Sequence, residues 1–540
     1  MSPRRPVAVV TGGGGGIGAA VAEELGRCGW FVATVDPLVT LEGSERLPEP
    51  EETTAGRIVA AGGAARASSA SVTDAGAVRD LFSELADEHG GVDAVVNVAG
   101  ITRQTGFAHG AEEDWRAVVA VHLGGFLNVL DAALPLMAAA GHGRVVGVTS
   151  GSGWRAADAG AYSAAKRVVA SLCWQLGRQA PPGVTVNAMS PIAATRMVAA
   201  AAERARQAGR TGDGGLNLFA SMPGPADLGP FAAHLVGDGF GWCNGQVLFA
   251  GGSEVAVVGE PRLLEVVRAE GVASLAGVLE AVVPRAFARA EASQLSEGGG
   301  NPRFGRVFED PAAELAASEV RSCALATDRP RLAEATAAAL EARSVRCHRL
   351  AVARGFDQAA AALQSLAERA GPLDAVVVAA AGREPAAGPE EGWRRVLAEH
   401  RGIVEDLHAD AAWARAAADY AAGADRPLRL VTLTDARDAG GRSRAQAAAQ
   451  LARVGRAATE GRVSAFAAGI EGEEVTCAAP AADLVAHLLG HPEAPALAGA
   501  ELAVGDGWIG LRSHPCPAGS VTFGGPGLPA WLDATLREIV

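Results

Sequence analysis

Residues 7–27 read VAVVTGGGGGIGAAVAEELGR. The first five are the β-branched, apolar residues of a buried strand, and the last nine carry the spacing of an amphipathic helix. Between them six glycines leave most of the backbone free of side chains. Gly12, Gly16 and Gly18 can fold the turn tightly and bring backbone N–H groups at the helix start against a pyrophosphate. A glycine run alone would equally be a flexible turn; the strand before it and the helix after it give it meaning. The next strand, FVATVD, closes on Asp36, 18 residues beyond Gly18. A carboxylate there accepts hydrogen bonds from adenosine ribose hydroxyls and repels a 2′-phosphate. With no Arg or Lys in the glycine turn or directly after Asp36, the expected cofactor is NAD in preference to NADP.

Outward from this unit, strand runs alternate with helical patterns through residue 258: VDAVVNVAG, GRVVGVTS, GVTVNAMS, GQVLFAGG. Such alternation builds βαβ units and a parallel sheet covered on both faces. Residues 37–63 read as an inserted loop and helix start. Beyond residue 315 the pattern returns. LDAVVVAAAG (373–382) echoes VDAVVNVAG (92–100), and WRRVLAEHRG (393–402) echoes WRAVVAVHLG (115–124) with the same Trp-to-His spacing. SCALATDRPRLAEA stands where the glycine turn should be. The expectation is two Rossmann-like, doubly wound α/β domains in tandem. A catalytic cofactor-binding domain spans 1–258, a linker with helices 259–315, a degenerate copy without the cofactor motif 316–512, and a C-terminal tail 513–540.

Composition narrows the function. A formal charge of −14 disfavours nucleic acid and anionic membrane as partners. Seven scattered cysteines without a C-x-x-C pair suit reduced thiols in a cytoplasm, which is the expected location. The most apolar stretch, 118–140, is interrupted by His122, Asn128 and Asp131 and reads as a buried helix. His487 and His491 share a helical face without a further ligand, so no metal site is expected.

Lys166 is the only lysine in 540 residues, and Tyr162 is one of two tyrosines, the other being Tyr420. At i and i+4 they share one helix face. A phenol needs its pKa lowered by about 2–3 units to act as a base near neutrality. An ammonium about 5 Å away, at an effective dielectric of about 20, supplies on the order of 3 kcal/mol. Lys166 is therefore expected to make Tyr162 acidic enough for proton transfer.

The glycine turn, NVAG (97–100), a serine-bearing strand end, YSAAK (162–166) and NAMSPIAATRM (187–197), in this order, resemble short-chain dehydrogenases/reductases across about residues 6–258. The resemblance implies Tyr162 as acid/base, Lys166 as its partner and holder of the nicotinamide ribose, and a serine that positions the substrate oxygen. That serine is Ser150, with Ser152 and Thr149 as alternatives. It implies a cofactor surface of Gly12, Gly16, Ile17, Gly18, Asp36, Val72, Asn97, Ala99, Gly100, Tyr162, Lys166, Pro191 and Thr195. Where the family carries a catalytic Asn this chain has His122, which could hold a proton-relay water and add pH sensitivity, or simply pack. Ser71 replaces an adenine-contacting acid, and Ile192 replaces a glycine after Pro191. VHLGG is similar to the dehydrogenase part of peroxisomal multifunctional enzymes, which points to a hydroxyacyl thioester.

The function expected is oxidoreduction of a secondary alcohol and a ketone. A 3-hydroxyacyl/3-ketoacyl thioester or polyketide-like small molecule is the substrate class. The second half would cover the first as an intramolecular pseudo-dimer, and two chains could form a pseudo-tetramer. A cofactor-retaining epimerase or dehydratase, and a non-catalytic NAD sensor, are the alternatives. Residues 192–225 would form a mobile substrate lid.

Overall fold

Alternate residues of β1 (Val7–Thr11) enter different cores. Val7 and Val9 join one apolar cluster, Ala8 and Val10 the other, so the strand is buried on both faces. This explains a continuous apolar run with no polar alternation. The structure, a computed structural model, describes residues 4–207, 222–272, 274–294, 319–382, 392–525 and 527–540. Part of the expected lid (208–221) and the glycine-rich stretch 296–311 lie outside the described residues.

β1 leads through α1 (Gly16–Arg27) to β2 (Phe31–Val35), then through α2 (Thr54–Ala60) to β3 (Ala64–Ser68) and through α3 (Ala75–His89) to β4 (Ala94–Asn97). α4 (Glu112–Val119), a π-helical turn (Ala120–Gly124) and α5 (Gly125–Ala140) precede β5 (Gly143–Val148). α6 (Ala161–Gln179), β6 (Val184–Pro191), α7 (Arg196–Gln207), β7 (Val247–Gly251) and β8 (Glu254–Val258) follow. The strands lie in the order β3-β2-β1-β4-β5-β6-β7-β8, parallel except for β8. The chain changes direction of travel between β1 and β4, so a crevice opens at their carboxyl ends, where ligands of doubly wound sheets bind.

After β9 (Leu263–Arg268), the second half builds β10 (Ser322–Thr327), β11 (Arg346–Leu350), β12 (Ala375–Ala379) and β13 (Leu428–Asp435). β14 (Val463–Ile470), β15 (Glu501–Gly505), β16 (Trp508–Arg512) and β17 (Pro517–Thr522) complete the set. Its sheet runs β11-β10-β12-β13-β14-β15-β16-β9. The order matches the first sheet without a counterpart of β3. Two doubly wound domains therefore stand in tandem.

The expectation of a linker at 259–315 and a tail at 513–540 needs correction. β9, from the expected linker, pairs antiparallel with β16 in the second sheet, and β17, from the expected tail, pairs antiparallel with β8 in the first. Each sheet is finished by a strand that leaves the other. The C-terminal helix α10 (Leu532–Ile539) then packs on the first half, with His234 Nε2 2.6 Å from Asp533. The physical reason is edge protection: β8 and β16 would otherwise present unpaired N–H and C=O groups.

The halves meet along helices. α8 (Ile403–Gly423) and α9 (Ala439–Ala458) belong to the second half, and α9 lies along α6. Small side chains allow the close approach, and hydrogen bonds fix it. Ser443 Oγ lies 3.0 Å from Ser171 Oγ, and Gln175 Nε2 donates to Ser443 Oγ at 3.0 Å and to the Ala439 carbonyl at 3.1 Å. Arg167, 1% exposed, donates to Glu501 at 2.7 Å across the same boundary. Helix 112–140 has the length and apolarity to cross a membrane, yet Val118, Leu123, Phe126, Leu130 and Leu134 are buried within the protein.

Candidate active site

The glycine turn is shaped by backbone approach. Gly12 takes φ +66°, and a Cβ there would come 2.9 Å from the Ala99 amide nitrogen. On Gly18 a Cβ would come 2.1 Å from the Gly12 carbonyl. Gly16, φ +54°, has open space where its Cβ would point. Tight packing below and an open face above make a cradle at the α1 N-terminus that fits a pyrophosphate. Ile17 packs partly buried on the core cluster below. Asn97 Oδ1 accepts from the Thr11 hydroxyl at 2.8 Å, and Thr11 Oγ1 accepts from the Ala99 amide at 3.2 Å. These bonds tie β4 to β1 directly under the turn.

Asp36 lies at the crevice rim. Its carboxylate accepts from Gly14 N at 3.0 Å and Leu38 N at 2.9 Å, which aims it beside the turn. Val72 is buried, its carbonyl accepting from Asn128 Nδ2 at 2.8 Å. Pro191 ends β6 opposite Ala250, and Thr195 Oγ1 caps the first turn of α7 through Val198 N at 3.3 Å. Sequence reading missed Arg196. It follows Thr195, and its guanidinium Nη2 comes within 3.3 Å of where a Cβ on Gly15 would lie. A cation therefore does reach the glycine turn, from the start of α7, a proximity no local motif could reveal.

Ser150, Tyr162 and Lys166 come together. The Ser150 side chain acts on the Tyr162 phenol as a hydrogen-bonding neighbour. Lys166 Nζ sits 5.7 Å from the Tyr162 ring centroid and donates to the Val148 carbonyl at 2.6 Å. The two alternatives for the serine position make other contacts. Thr149 Oγ1 donates to the Lys166 carbonyl at 2.6 Å, and Ser152 contributes its backbone N–H to Ser150 Oγ at 3.3 Å.

The electrostatics differ from the sequence expectation. Burial raises the Tyr162 pKa, and the Ser150 hydrogen bond pulls against that rise. Burial also brings Lys166 down to about 7. A lysine that deprotonates near 7 carries little charge by the pH at which a buried phenol ionises. Ser150 is the side chain whose hydrogen bonding works against the burial of the phenol.

His122 lies in the π-helical turn and is 2% exposed. Its Nε2 meets the backbone of Ile101, 2.8 Å from the carbonyl oxygen, and its ring stands edge-on to Tyr162 at 4.9 Å between centroids. Burial and the nearby Lys166 hold its pKa well below the usual value. Burial thus favours the neutral ring, which packs against the phenol. Gly100 is required beside it, since a Cβ there would come 2.3 Å from His122 Cε1.

In the second half, charged side chains pair at the carboxyl ends of the strands. Arg437 pairs with Asp435 at 2.9 Å and with Glu473 at 3.0 Å, and Arg329 approaches Glu474 at 3.6 Å. His487 and His491 stack at 4.7 Å, and no cluster of three metal-ligating side chains occurs among the described residues.

Comparison with known proteins places this geometry. Residues 6–206 match the short chain dehydrogenase family. The short-chain reductase protein NovJ of Streptomyces niveus is 36% identical over 200 residues, 37% of this chain and 73% of the relative. Nodulation protein G of Azospirillum brasilense is 32% identical over 252 residues, 45% of this chain and 95% of the relative. A 3-oxoacyl-[acyl-carrier-protein] reductase of Synechocystis is 34% identical over 187 residues, covering 34% and 72% respectively.

Proposed function

Since the chain belongs to the short-chain dehydrogenase/reductase family and is an NAD(P)-dependent oxidoreductase of ketoreductase type, we propose that its first half alone carries the reaction. The substrate class is a 3-ketoacyl thioester or a polyketide-like ketone, which the relatives' chemistry supports. The second half is a degenerate copy that serves as the partner in an intramolecular pseudo-dimer, in a cytoplasmic protein. One observation carries the reading: Tyr162, beside Ser150 and Lys166, packs on His122, whose ring borders Gly100 next to the glycine cradle.

Bound in that crevice, the nicotinamide would supply or accept the hydride. Gly12–Gly18 would hold the diphosphate, Asp36 the adenosine ribose, and Lys166 the nicotinamide ribose, with Val72, Asn97, Ala99, Gly100, Pro191 and Thr195 lining the remainder. In the direction of reduction, Ser150 holds the carbonyl oxygen and Tyr162 donates its phenolic proton to it. Ser150 stabilises the phenolate left behind. Lys166 Nζ, titrating near 7, gives up or regains a proton in the working pH range. In oxidation each proton moves the other way. His122 keeps the phenol oriented by edge-on packing.

The direct test is Tyr162→Phe in the full chain, assayed with acetoacetyl-CoA and NADH or NADPH. The expected result is loss of turnover by about a hundredfold or more, with cofactor Kd by fluorescence quenching unchanged. Retained turnover would refute the assignment. Asp36 favours NAD, whereas Arg196 offers a cation to a further phosphate. We assign NAD as the preferred cofactor because Asp36 is held at the ribose position by two backbone donors. A lower Kd for NADPH than for NADH would reverse that assignment.

A further inference from the structure

The segment that bears Ser150 is held in place by the half that lacks the chemistry. After β5 the chain passes Ser150 into one 3₁₀ turn, Gly151–Gly153, and then through Trp154 and Arg155 toward Tyr162. On one side the turn lies flat on α6: a Cβ on Gly153 would come 2.9 Å from the Arg167 amide nitrogen and from the Lys166 carbonyl carbon. On the other side stands α9. Gln450, 2% exposed, donates both Nε2 protons to this segment, to the Ser152 carbonyl at 3.1 Å and the Arg155 carbonyl at 2.6 Å. One turn along, Arg453 Nη1 donates to the Trp154 carbonyl at 2.9 Å.

A Gly-Ser-Gly turn has little conformational preference of its own. Three of its neighbouring carbonyls end on donors nearly 300 residues away in sequence. We propose that Gln450, supported by Arg453, is a positioning residue of the active site, holding the 152–155 backbone so that the Ser150 hydroxyl stays on the Tyr162 phenol. The second half thus contributes to proton transfer without touching substrate or cofactor. This rests on the reading of the first half as the reaction centre.

The molecule supplies its own control. Gln175 of α6 donates across the same interface to the Ala439 carbonyl at the start of α9. That segment carries no Tyr-x-x-x-Lys, so the same kind of bond there serves the fold alone.

The test uses the full chain labelled with [¹³Cζ]tyrosine, which gives two resonances, Tyr162 and Tyr420. Tyr420 accepts from Leu373 N at 2.8 Å, in a separate environment, and serves as reference. Ser150→Ala is expected to move the Tyr162 resonance. Gln450→Met, similar in shape but unable to donate, should move it in the same direction, and the double variant should move it no further. Gln175→Met should move neither resonance. With acetoacetyl-CoA, Gln450→Met should lower kcat about tenfold or more at unchanged NADH Kd, with less than about a twofold further loss in the Ser150→Ala background. If Gln450→Met does not fold, Arg453→Met reads the same segment, with a smaller shift of the same sign. Equal behaviour of Gln450→Met and Gln175→Met, or effects of Gln450→Met and Ser150→Ala that simply multiply, would overturn the proposal. Full activity in Ser150→Ala and Tyr162→Phe would instead sink the reaction-centre reading, so the two failures are distinguishable.

Discussion

Replacing Lys166 by Met should stabilise the protein while abolishing its activity, and the gain should depend on pH in a defined sense. Lys166 is 2% exposed and its pKa falls from 10.5 to about 7 on burial. Because the folded value lies below the unfolded one, the unfolded chain holds the proton more tightly between about pH 7 and 10.5. Wild-type stability therefore rises with pH across that window, and the full penalty is felt below it. At about 1.4 kcal/mol per pKa unit, the penalty is about 5 kcal/mol below pH 7 and about 2 kcal/mol at pH 9. Methionine keeps the packing volume but leaves the Val148 carbonyl without its 2.6 Å donor, a loss of about 1 kcal/mol. An unfolding entropy of about 2 cal/mol/K per residue gives 540 residues about 1.1 kcal/mol per degree. Lys166→Met should then melt about 3–4 °C above wild type at pH 6.5 and about 1 °C above it at pH 9. Differential scanning calorimetry of the full chain at both pH values reads this directly. A variant that melts lower at pH 6.5, or higher by the same amount at both pH values, would refute the claim that burial dominates the lysine's ionisation.

Arg167→Met alone leaves Glu501 buried without its partner and should destabilise by about 3–5 kcal/mol. Adding Glu501→Leu should restore most of that loss in the same thermal melt. A chain ending at Arg512 lacks β17 and α10 and leaves the β8 edge unpaired; sedimentation should show self-association that the full chain does not have. Arg196→Ala removes the cation over Gly15, so NADH and NADPH should each bind about 3–10-fold more weakly by fluorescence titration. An unchanged Kd for both would place that guanidinium outside the cofactor site.

Much of this was legible because it is local. The glycine turn between an apolar strand and a helix, the Tyr–Lys spacing and the echo of WRAVVAVHLG in WRRVLAEHRG are all contained in short windows. Periodicity and the loss of Cβ atoms carry such information directly. What was not legible depends on contacts between distant segments. β9 and β17 look like linker and tail because an edge strand with one apolar face has no signature of its own. Arg196 reaches Gly15 only because β6 and β1 end on the same side of the sheet. The ionisation of Tyr162 and Lys166 was misjudged for a related reason. The i, i+4 spacing gives proximity, but not burial, and burial raises the pKa of Tyr162 while lowering that of Lys166.

On the reading proposed above, the exchanged strands explain how a second half without the chemistry would still serve the first. The glycine cradle lies at the carboxyl ends of β1 and β4, away from the faces where α6 meets α9. The matching crevice can therefore fill with Arg437, Asp435 and Glu473 without disturbing the shared interface. The interface itself has no such freedom. Ser443 lies within hydrogen-bond reach of Ser171, Gln175 and, at 2.8 Å, His400, so one hydroxyl links α6, α9 and the echo of the His122 position. Gln450 and Arg453 lie farther along the same helix, against the Ser150 segment. β9 and β17 then bind each sheet to the other half's chain. In this arrangement the second crevice can alter while Gln450 and Arg453 keep their bonds to the Ser150 segment.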